Sequence, residues 1–101
     1  MSHAPDLPLQ ALDKLFEHRM RLAIAVLLRQ HERINFARFK QVLETTDGNL
    51  GAQLRKLEDA GYVAVDKQFE DRKPVSWYAL TDAGWPALQA HVAALQQLIS
   101  Q

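Results

Sequence analysis

The chain contains no cysteine and no long apolar run. The absence of cysteine excludes disulfides, thiolate nucleophiles and cysteine-ligated zinc or iron–sulfur sites, and it makes a reducing cytoplasm the expected location. The longest apolar stretch, residues 22–28, is far too short to cross a bilayer, and the N-terminus has no basic region followed by an apolar segment. The sequence therefore predicts neither a membrane protein nor an exported one.

An excess of charge of either sign is also missing. The 101 residues include 12 Lys and Arg and 12 Asp and Glu, so the formal net charge is zero at pH 7. That balance excludes a protein with a basic tail and a strongly cationic protein that coats DNA. With 48% hydrophobic and 24% charged residues, the composition and length fit one small globular domain. We predict a flexible N-terminus over residues 1–8 and a single domain over residues 9–101, which oligomerisation would help to stabilise.

Motifs for catalysis or cofactor binding are absent as well. The four histidines are scattered, at His3, His18, His31 and His91. The sequence has no His-x-x-x-His pair, no glycine-rich phosphate loop and no Ser-His-Asp pattern. We therefore expect no enzyme activity, no metal site and no cofactor.

The first part of the chain is predicted to be helical. Apolar residues recur at steps of three and four over residues 9–30, which indicates one long or slightly broken helix. The polar residues 31–33 end this helix, and residues 34–36 form a short extended link. A second, shorter helix is predicted from four apolar residues: Phe36, Phe39, Val42 and Leu43.

A third helix is predicted over residues 47–60, after a turn. Its inward-facing stripe consists of Leu50, Leu54 and Leu57. Thr46 or Asp47 can cap the start of this helix by accepting hydrogen bonds from its first free amides. Gly61 lies where a left-handed residue is expected to end it.

Two strands and a last helix are predicted after Gly61. Residues 62–69 and 75–80 are rich in aromatic and β-branched residues, and they form a hairpin with a charged tip over residues 70–74. In the last helix, over residues 82–100, apolar residues step by three and four: Trp85, Leu88, Val92, Leu95 and Ile99.

The last helix is too apolar to face water alone, because it carries no Asp, Glu, Lys or Arg after Asp82. We predict that it packs against the N-terminal segment of a second copy. The candidate dimer residues are Leu9, Leu12, Phe16, Trp85, Leu88, Val92, Leu95 and Ile99. Packing on the first helix of the same chain is the alternative.

Two helices joined by a short turn and followed at once by a charged hairpin are typical of a winged helix-turn-helix. The sequence resembles the short winged-helix transcriptional regulators related to the MarR and ArsR families. Four segments carry the resemblance: residues 15–22, 47–51, 54–63 with its Gly-Tyr-Val, and 77–84 with its Leu-Thr-x-x-Gly. The resemblance implies a mainly α fold with a small β-hairpin wing (α+β), a three-helix core, a C-terminal dimerisation helix and a homodimer on double-stranded DNA.

In such a protein the third helix enters the major groove, and the wing, over about residues 66–76, contacts the flanking backbone or minor groove. Small side chains permit close approach, amides pair with a base edge such as adenine, and cations reach guanine or phosphate. The candidate DNA-binding residues are Gly48, Asn49, Ala52, Gln53, Arg55 and Lys56 on the helix, Arg38 and Lys40 before it, and Lys67, Arg72 and Lys73 on the wing. The alternative is an ordinary solvated surface, because acidic residues stand close to most of these cations in the sequence.

Two other functions remain open at this stage. The same fold could serve as a protein-interaction module, with its neutral surface and apolar last helix engaging another protein. It could also belong to a regulator that senses a small aromatic ligand in a pocket near Phe16, Met20 and Trp85.

The zero net charge is an average over two unlike regions. Residues 29–40 contain four basic residues, Lys or Arg, and one acidic residue. Among residues 81–101, Asp82 is the only Asp, Glu, Lys or Arg. This distribution predicts a mildly basic DNA-binding side and a nearly uncharged dimer side. It also predicts modest non-specific affinity for DNA, so that specific binding depends on dimerisation and on a few base contacts.

Overall fold

The helical N-terminal region is more interrupted than its periodicity suggests. The computed structural model describes residues 9–100, so the predicted flexible segment 1–8 lies outside the described residues. The first elements are two 3₁₀ turns, Leu9–Ala11 and Lys14–Glu17, followed by helix α1, Arg19–Gln30. The prediction of one long or slightly broken helix therefore holds for α1 alone.

Two side chains interrupt the helix by bonding to the backbone. Asp13 Oδ1 accepts a hydrogen bond from the N–H of Leu15 at 2.9 Å, and His18 Nδ1 accepts one from the N–H of Met20 at 3.1 Å. Asp13 and His18 both have extended backbone. Each of them therefore acts as the N-cap of the element that follows, which divides the segment.

Helices α2, Phe36–Leu43, and α3, Asp47–Asp59, form a helix-turn-helix. The Oγ1 of Thr46 accepts a hydrogen bond from the N–H of Asn49 at 3.2 Å, which confirms the predicted cap. After α3, Gly61 has a φ of 81°, as expected for a left-handed residue beyond a helix end.

Three strands are present among the described residues: β1 (Ile34–Asn35), β2 (Val63–Glu70) and β3 (Lys73–Leu80). They form an antiparallel sheet in the order β1-β3-β2. The predicted extended link is thus a short strand paired with β3. The hairpin turn is shorter than the predicted tip, because Glu70 already pairs with Lys73. Only Asp71 and Arg72 turn the chain, with φ values of 50° and 65° that match the right-handed twist of the strands. The elements confirm an α+β winged-helix fold.

The 3₁₀ turns are joined to the body of the protein by aromatic packing and partly buried hydrogen bonds. Phe16, 2% exposed, stacks on Tyr62 with ring centroids 5.5 Å apart. The hydroxyl of Tyr62 donates to Asp13 Oδ2 at 2.6 Å, and this hydrogen bond is the largest of the effects that raise the pKa of Tyr62. The N–H of Asp13 donates to Nδ1 of the buried His91 at 2.9 Å, so this nitrogen carries no proton.

Helix α4, Gly84–Ile99, packs on its own chain through a stripe made of Gly84, Leu88, His91 and Ala94. This finding corrects part of the dimer prediction, because Phe16 and Leu88 are 2% and 3% exposed and belong to the core of the same chain. Within residues 9–100 no helix combines the length and the apolar character that a membrane span requires.

The start of α4 lies so close to the end of the α3–β2 connection that only glycine fits at residue 84. Thr81 Oγ1 accepts from the N–H of Gly84 at 3.0 Å and donates to the carbonyl of Gly61 at 2.6 Å. Thr81 thus bonds to the first residue of α4, although the N-cap of this helix is Ala83. A Cβ at Gly84 would collide with the carbonyl oxygen of Tyr62 and lie 3.1 Å from Leu80 Cδ2.

Gly84→Ala is therefore expected to lower the free energy of unfolding by about 1–3 kcal/mol, because the backbone of Tyr62 must move to accept a methyl group. The melting temperature should fall by about 5–20 °C in a thermal denaturation series. Gly51→Ala is the matched control, since a Cβ there meets nothing within 4 Å. Gly51 lies inside α3, so its replacement should stabilise the fold by up to about 1 kcal/mol. Equal melting temperatures for the two variants would contradict the proposed clash.

Candidate nucleic-acid interface

Helix α3 has one buried face and one exposed face. Leu50, Leu54 and Leu57 are at most 1% exposed and fix the helix to the core. Five of the six candidate residues on α3 lie on the exposed side: Gly48, Asn49, Ala52, Arg55 and Lys56. Gly48 has no side chain and Ala52 has only a methyl group, so the helix backbone is accessible there. Entry into a major groove requires this close approach.

The cations around α3 are largely free of acidic partners. Among residues 9–100 the single ion pair joins Lys40 Nζ to Asp47 Oδ1 at 2.9 Å, on the surface. Arg55 and Lys56 form no ion pair with Glu58 or Asp59, so the alternative explanation of these cations as paired surface charges is not supported. An exposed pair such as Lys40–Asp47 contributes little to stability, and a phosphate could compete for the lysine.

Gln53 does not lie on the exposed flank where the sequence placed it. It is 8% exposed, and its Oε1 accepts a hydrogen bond from Nη1 of Arg21 at 2.7 Å. Its Nε2 donates to Oδ1 of Asn49 at 3.3 Å. The position three residues after Leu50 and four before Leu57 already indicates the buried stripe, but the partnership with Arg21 has no signal in the sequence.

In the wing, strand alternation separates charges that are mixed in the sequence. The register pairs Asp66 with Trp77 and Glu70 with Lys73, and paired residues share a face. Both carboxylates on that face are engaged, since Asp66 accepts from Gln68 at 2.6 Å and Glu70 accepts from the indole N–H of Trp77 at 2.7 Å.

The opposite face of the wing continues the face that carries the buried Val63 and Tyr78. Near the tip it presents Lys67 and Phe69, and the Phe69 side chain is 78% exposed. The structure thus places Lys67 on a face without carboxylates, Lys73 on the acidic face, and Arg72 in the turn between them. Strand alternation explains why acidic and basic neighbours in this segment need not neutralise one another.

Arg38 and Lys40, the two candidates on α2, are also exposed. Arg38 Nη1 donates to Oε1 of Gln41 at 2.9 Å, a surface contact that leaves its other guanidinium donors available. Arg33, just before β1, instead stacks its guanidinium 4.2 Å from the ring centre of Trp77. Lys40 is therefore next to the start of α3, through its ion pair with Asp47, and Arg38 is exposed on the same helix as Lys40.

A second surface, the α4 face, consists of the exposed apolar residues Val26, Val92, Leu95 and Ile99. Ile99 is 83% exposed, Val92 is 40% exposed and Leu95 is 36% exposed. Along the predicted apolar seam of the last helix, Leu88 is therefore buried in the core of the same chain, whereas these three residues are exposed. Leu9 is 58% exposed, while Leu12 and Trp85 are half-buried, and Arg29 stacks over the Trp85 ring at 4.1 Å.

The ligand pocket predicted between the first and last helices does not open at Phe16, because the Phe16 ring packs against Tyr62 and His91. A groove of about 380 Å³ between α1 and α4 is lined by Trp85, but by neither Phe16 nor Met20. A cavity of about 420 Å³ lies elsewhere, lined by residues that include Phe39 and Trp77. No group of three or more acidic or histidine side chains that could hold a metal ion occurs among residues 9–100.

Comparisons with known proteins agree with this geometry. The sequence profile of the winged helix DNA-binding domain family matches residues 20–99, so the chain belongs to that family. An uncharacterised protein of Methanocaldococcus jannaschii, MJ0432, is 32% identical over 84% of this chain and 92% of its own length. A solved structure, the transcriptional regulator homologue of Pyrococcus horikoshii, has a TM-score of 0.79 and 29% identity over 85% of both chains.

The expected likeness to MarR- and ArsR-type regulators is confirmed for the fold. Solved chains that share it include E. coli MarR and an ArsR-family regulator. Lactococcus lactis ZitR, a MarR family member solved in complex with DNA, has a TM-score of 0.61 and 20% identity, covering 81% of this chain and 55% of its own.

Proposed function

We propose that this protein is a homodimeric transcriptional regulator that binds specific sites in double-stranded DNA. The exposed face of α3 carries the proposal, because it combines small residues, one exposed amide and two cations without acidic partners. In this proposal α3 lies in the major groove, with Asn49 and Arg55 at base edges and Lys56 at a phosphate. Membership of a DNA-binding domain family supports the same direction.

The surrounding cations supply contacts that do not depend on sequence. Arg38 and Lys40 contact the phosphate backbone beside α3, and Lys67 and Arg72 contact the backbone or minor groove beyond it. Lys73 lies on the acidic face of the wing and contributes less. These contacts position the helix, while the α3 side chains select the sequence.

The α4 face supports the homodimer. Between Gly84 and Ile99 the helix has no ionisable side chain except His91, which is buried, yet Val92, Leu95 and Ile99 are exposed. A second copy related by two-fold symmetry would cover these residues with their own equivalents. Two recognition helices would then read half-sites about one helical turn apart.

An interaction module for another protein would use this same α4 face, so the oligomeric state separates the two functions. A stable homodimer leaves no apolar α4 face for a different protein. A monomer with the face exposed would favour the interaction module.

A salt titration of DNA binding tests the proposal. Fluorescence anisotropy with DNA from the region upstream of the gene should show a logarithm of affinity that falls linearly with the logarithm of salt. A dimer with about six to ten phosphate contacts loses about 10³- to 10⁵-fold in affinity between 50 and 200 mM salt. Binding that is absent, or that does not change across this range, would contradict a DNA-binding function.

A further inference from the structure

We propose that Arg21, which lies outside the exposed face of α3, is a positioning residue that sets the orientation of the Asn49 amide and thereby the base that Asn49 reads. This inference rests on the proposed DNA-binding function. It starts from a row of hydrogen bonds, here called the α3 polar network, formed by Arg21, Gln53, Asn49 and Thr45. The network joins the second 3₁₀ turn, Lys14–Glu17, to the first turn of α3.

Arg21 is fixed at one end of the network by backbone carbonyls. Its Nε donates to the carbonyl of Leu15 at 2.7 Å, and its Nη2 approaches the carbonyl of Lys14 at 3.5 Å. Its Nη1 donates to Gln53 Oε1 at 2.7 Å. The guanidinium is therefore held in one orientation beside the buried Gln53.

The direction of every hydrogen bond in the network follows from the chemistry of arginine. A guanidinium has only donors, so the oxygen of the Gln53 amide must face Arg21. The Gln53 Nε2 then faces Asn49 and donates to its Oδ1 at 3.3 Å. The Asn49 Nδ2 is left to donate to Thr45 Oγ1 at 2.9 Å. An amide that could otherwise rotate by half a turn is thus assigned one orientation.

The network leaves Asn49 with one hydrogen-bonding group of each kind. Its oxygen accepts two hydrogen bonds and its nitrogen donates two, and the network uses one of each. One acceptor and one donor remain, which is the pair that a bidentate contact with adenine N6 and N7 requires. Since Asn49 is exposed on the face of α3 proposed to enter the major groove, this remaining pair is available to a base.

Gln53→Glu is the sharpest test of the network. The new carboxylate can still accept from Arg21, but it cannot donate to Asn49 Oδ1. Two facing oxygens repel, so the Asn49 amide rotates, places Nδ2 towards the carboxylate and takes a hydrogen bond from the Thr45 hydroxyl. The donor and the acceptor that Asn49 offers to the base therefore exchange positions. The hydrogen bond between Arg21 and the side chain at residue 53 is kept.

The expected result is a loss of discrimination at one base pair of each half-site. Selection from a random DNA library followed by competition binding identifies that base pair as the one at which Asn49→Ala loses its preference. Gln53→Glu should lower discrimination there by about 5- to 150-fold and leave the other positions unchanged. In the Asn49→Ala background, adding Gln53→Glu should change nothing further at that position.

Gln41→Glu is the matched control. Gln41 also accepts a hydrogen bond from an arginine, Arg38, and its replacement adds the same negative charge to the helix-turn-helix surface. This variant can lower the overall affinity, but it should keep the base preference. A change of preference in Gln41→Glu equal to that in Gln53→Glu would overturn the inference, because charge alone would explain both.

Arg21→Met keeps the test decisive if the buried charge of Gln53→Glu prevents folding. It removes the donors that hold the Gln53 oxygen in place, so the Gln53 and Asn49 amides are free to rotate, and discrimination at the same base pair should fall by about 2- to 10-fold. An unchanged preference at that base pair, in Gln53→Glu or in Arg21→Met when the former does not fold, overturns the role of Arg21 and leaves the DNA-binding function standing. A wild-type protein that selects no sequence overturns both.

Discussion

Replacing Val92 with glutamate is expected to convert the proposed homodimer into a monomer and to lower the affinity for DNA with two half-sites by about 10²- to 10⁴-fold. Val92 is 40% exposed on the α4 face, beside Leu95 and near the end residue Ile99. Two-fold symmetry would bring the new carboxylate of each copy into the same apolar contact, where neither charge has a partner. A monomer then holds DNA through one half-site only.

Sedimentation or light scattering measures the mass of the protein in solution, and fluorescence anisotropy measures its affinity for DNA with two half-sites. Ala90→Glu is the matched control, because Ala90 is exposed on the same helix, two residues away, and points to the opposite side. It adds the same charge to the same element, yet it should remain a dimer with wild-type affinity. A Val92→Glu protein that stays dimeric would place the dimer contact elsewhere on the molecule.

The second large effect is expected from the exposed face of α3. Replacing Asn49 and Arg55 together with alanine removes one amide and one guanidinium from the proposed base contacts. Each good bidentate contact contributes about 1–3 kcal/mol of discrimination, so specific affinity should fall by about 10²-fold or more, while non-specific binding changes little. Both residues are exposed, but Asn49 accepts a hydrogen bond from the buried Gln53, so the free energy of unfolding should fall by about 0.5–1.5 kcal/mol and the protein should stay folded.

Arg55→Lys distinguishes a base contact from a phosphate contact. Lysine keeps the charge but lacks the planar fork that matches guanine, so the salt dependence should persist while discrimination at one base pair falls. Unchanged discrimination in Arg55→Lys would assign Arg55 to a phosphate. Unchanged affinity in the double alanine variant would remove α3 from the recognition surface.

The elements with local signals could be predicted from the sequence. Helix α3 follows from the stripe of Leu50, Leu54 and Leu57, its start from Thr46 and its end from Gly61, since each of these acts on its immediate neighbours. The break in the first helix could not be predicted in the same way. It depends on Asp13, whose side chain and N–H bond to Leu15, Tyr62 and His91, the last being 78 residues away.

The candidate site also contains some features with local sequence signals and others that depend on distant residues. The exposure of Arg55 and Lys56 follows from helical periodicity, whereas the absence of ion pairs with their acidic neighbours depends on side-chain packing. The role of Gln53 could not be found, because its partner Arg21 lies 32 residues earlier. Likewise the outward position of Val92 depends on which face of α4 the rest of the chain covers.

In the proposed complex, two α3 helices of a homodimer read a specific, symmetric DNA site. Selection from a random library with the purified wild-type protein, followed by sequencing, tests this arrangement. We expect an enriched inverted repeat with half-site centres about one helical turn, or 10 base pairs, apart. Enrichment of no sequence, or of a single unrepeated motif bound by a monomer, would contradict it.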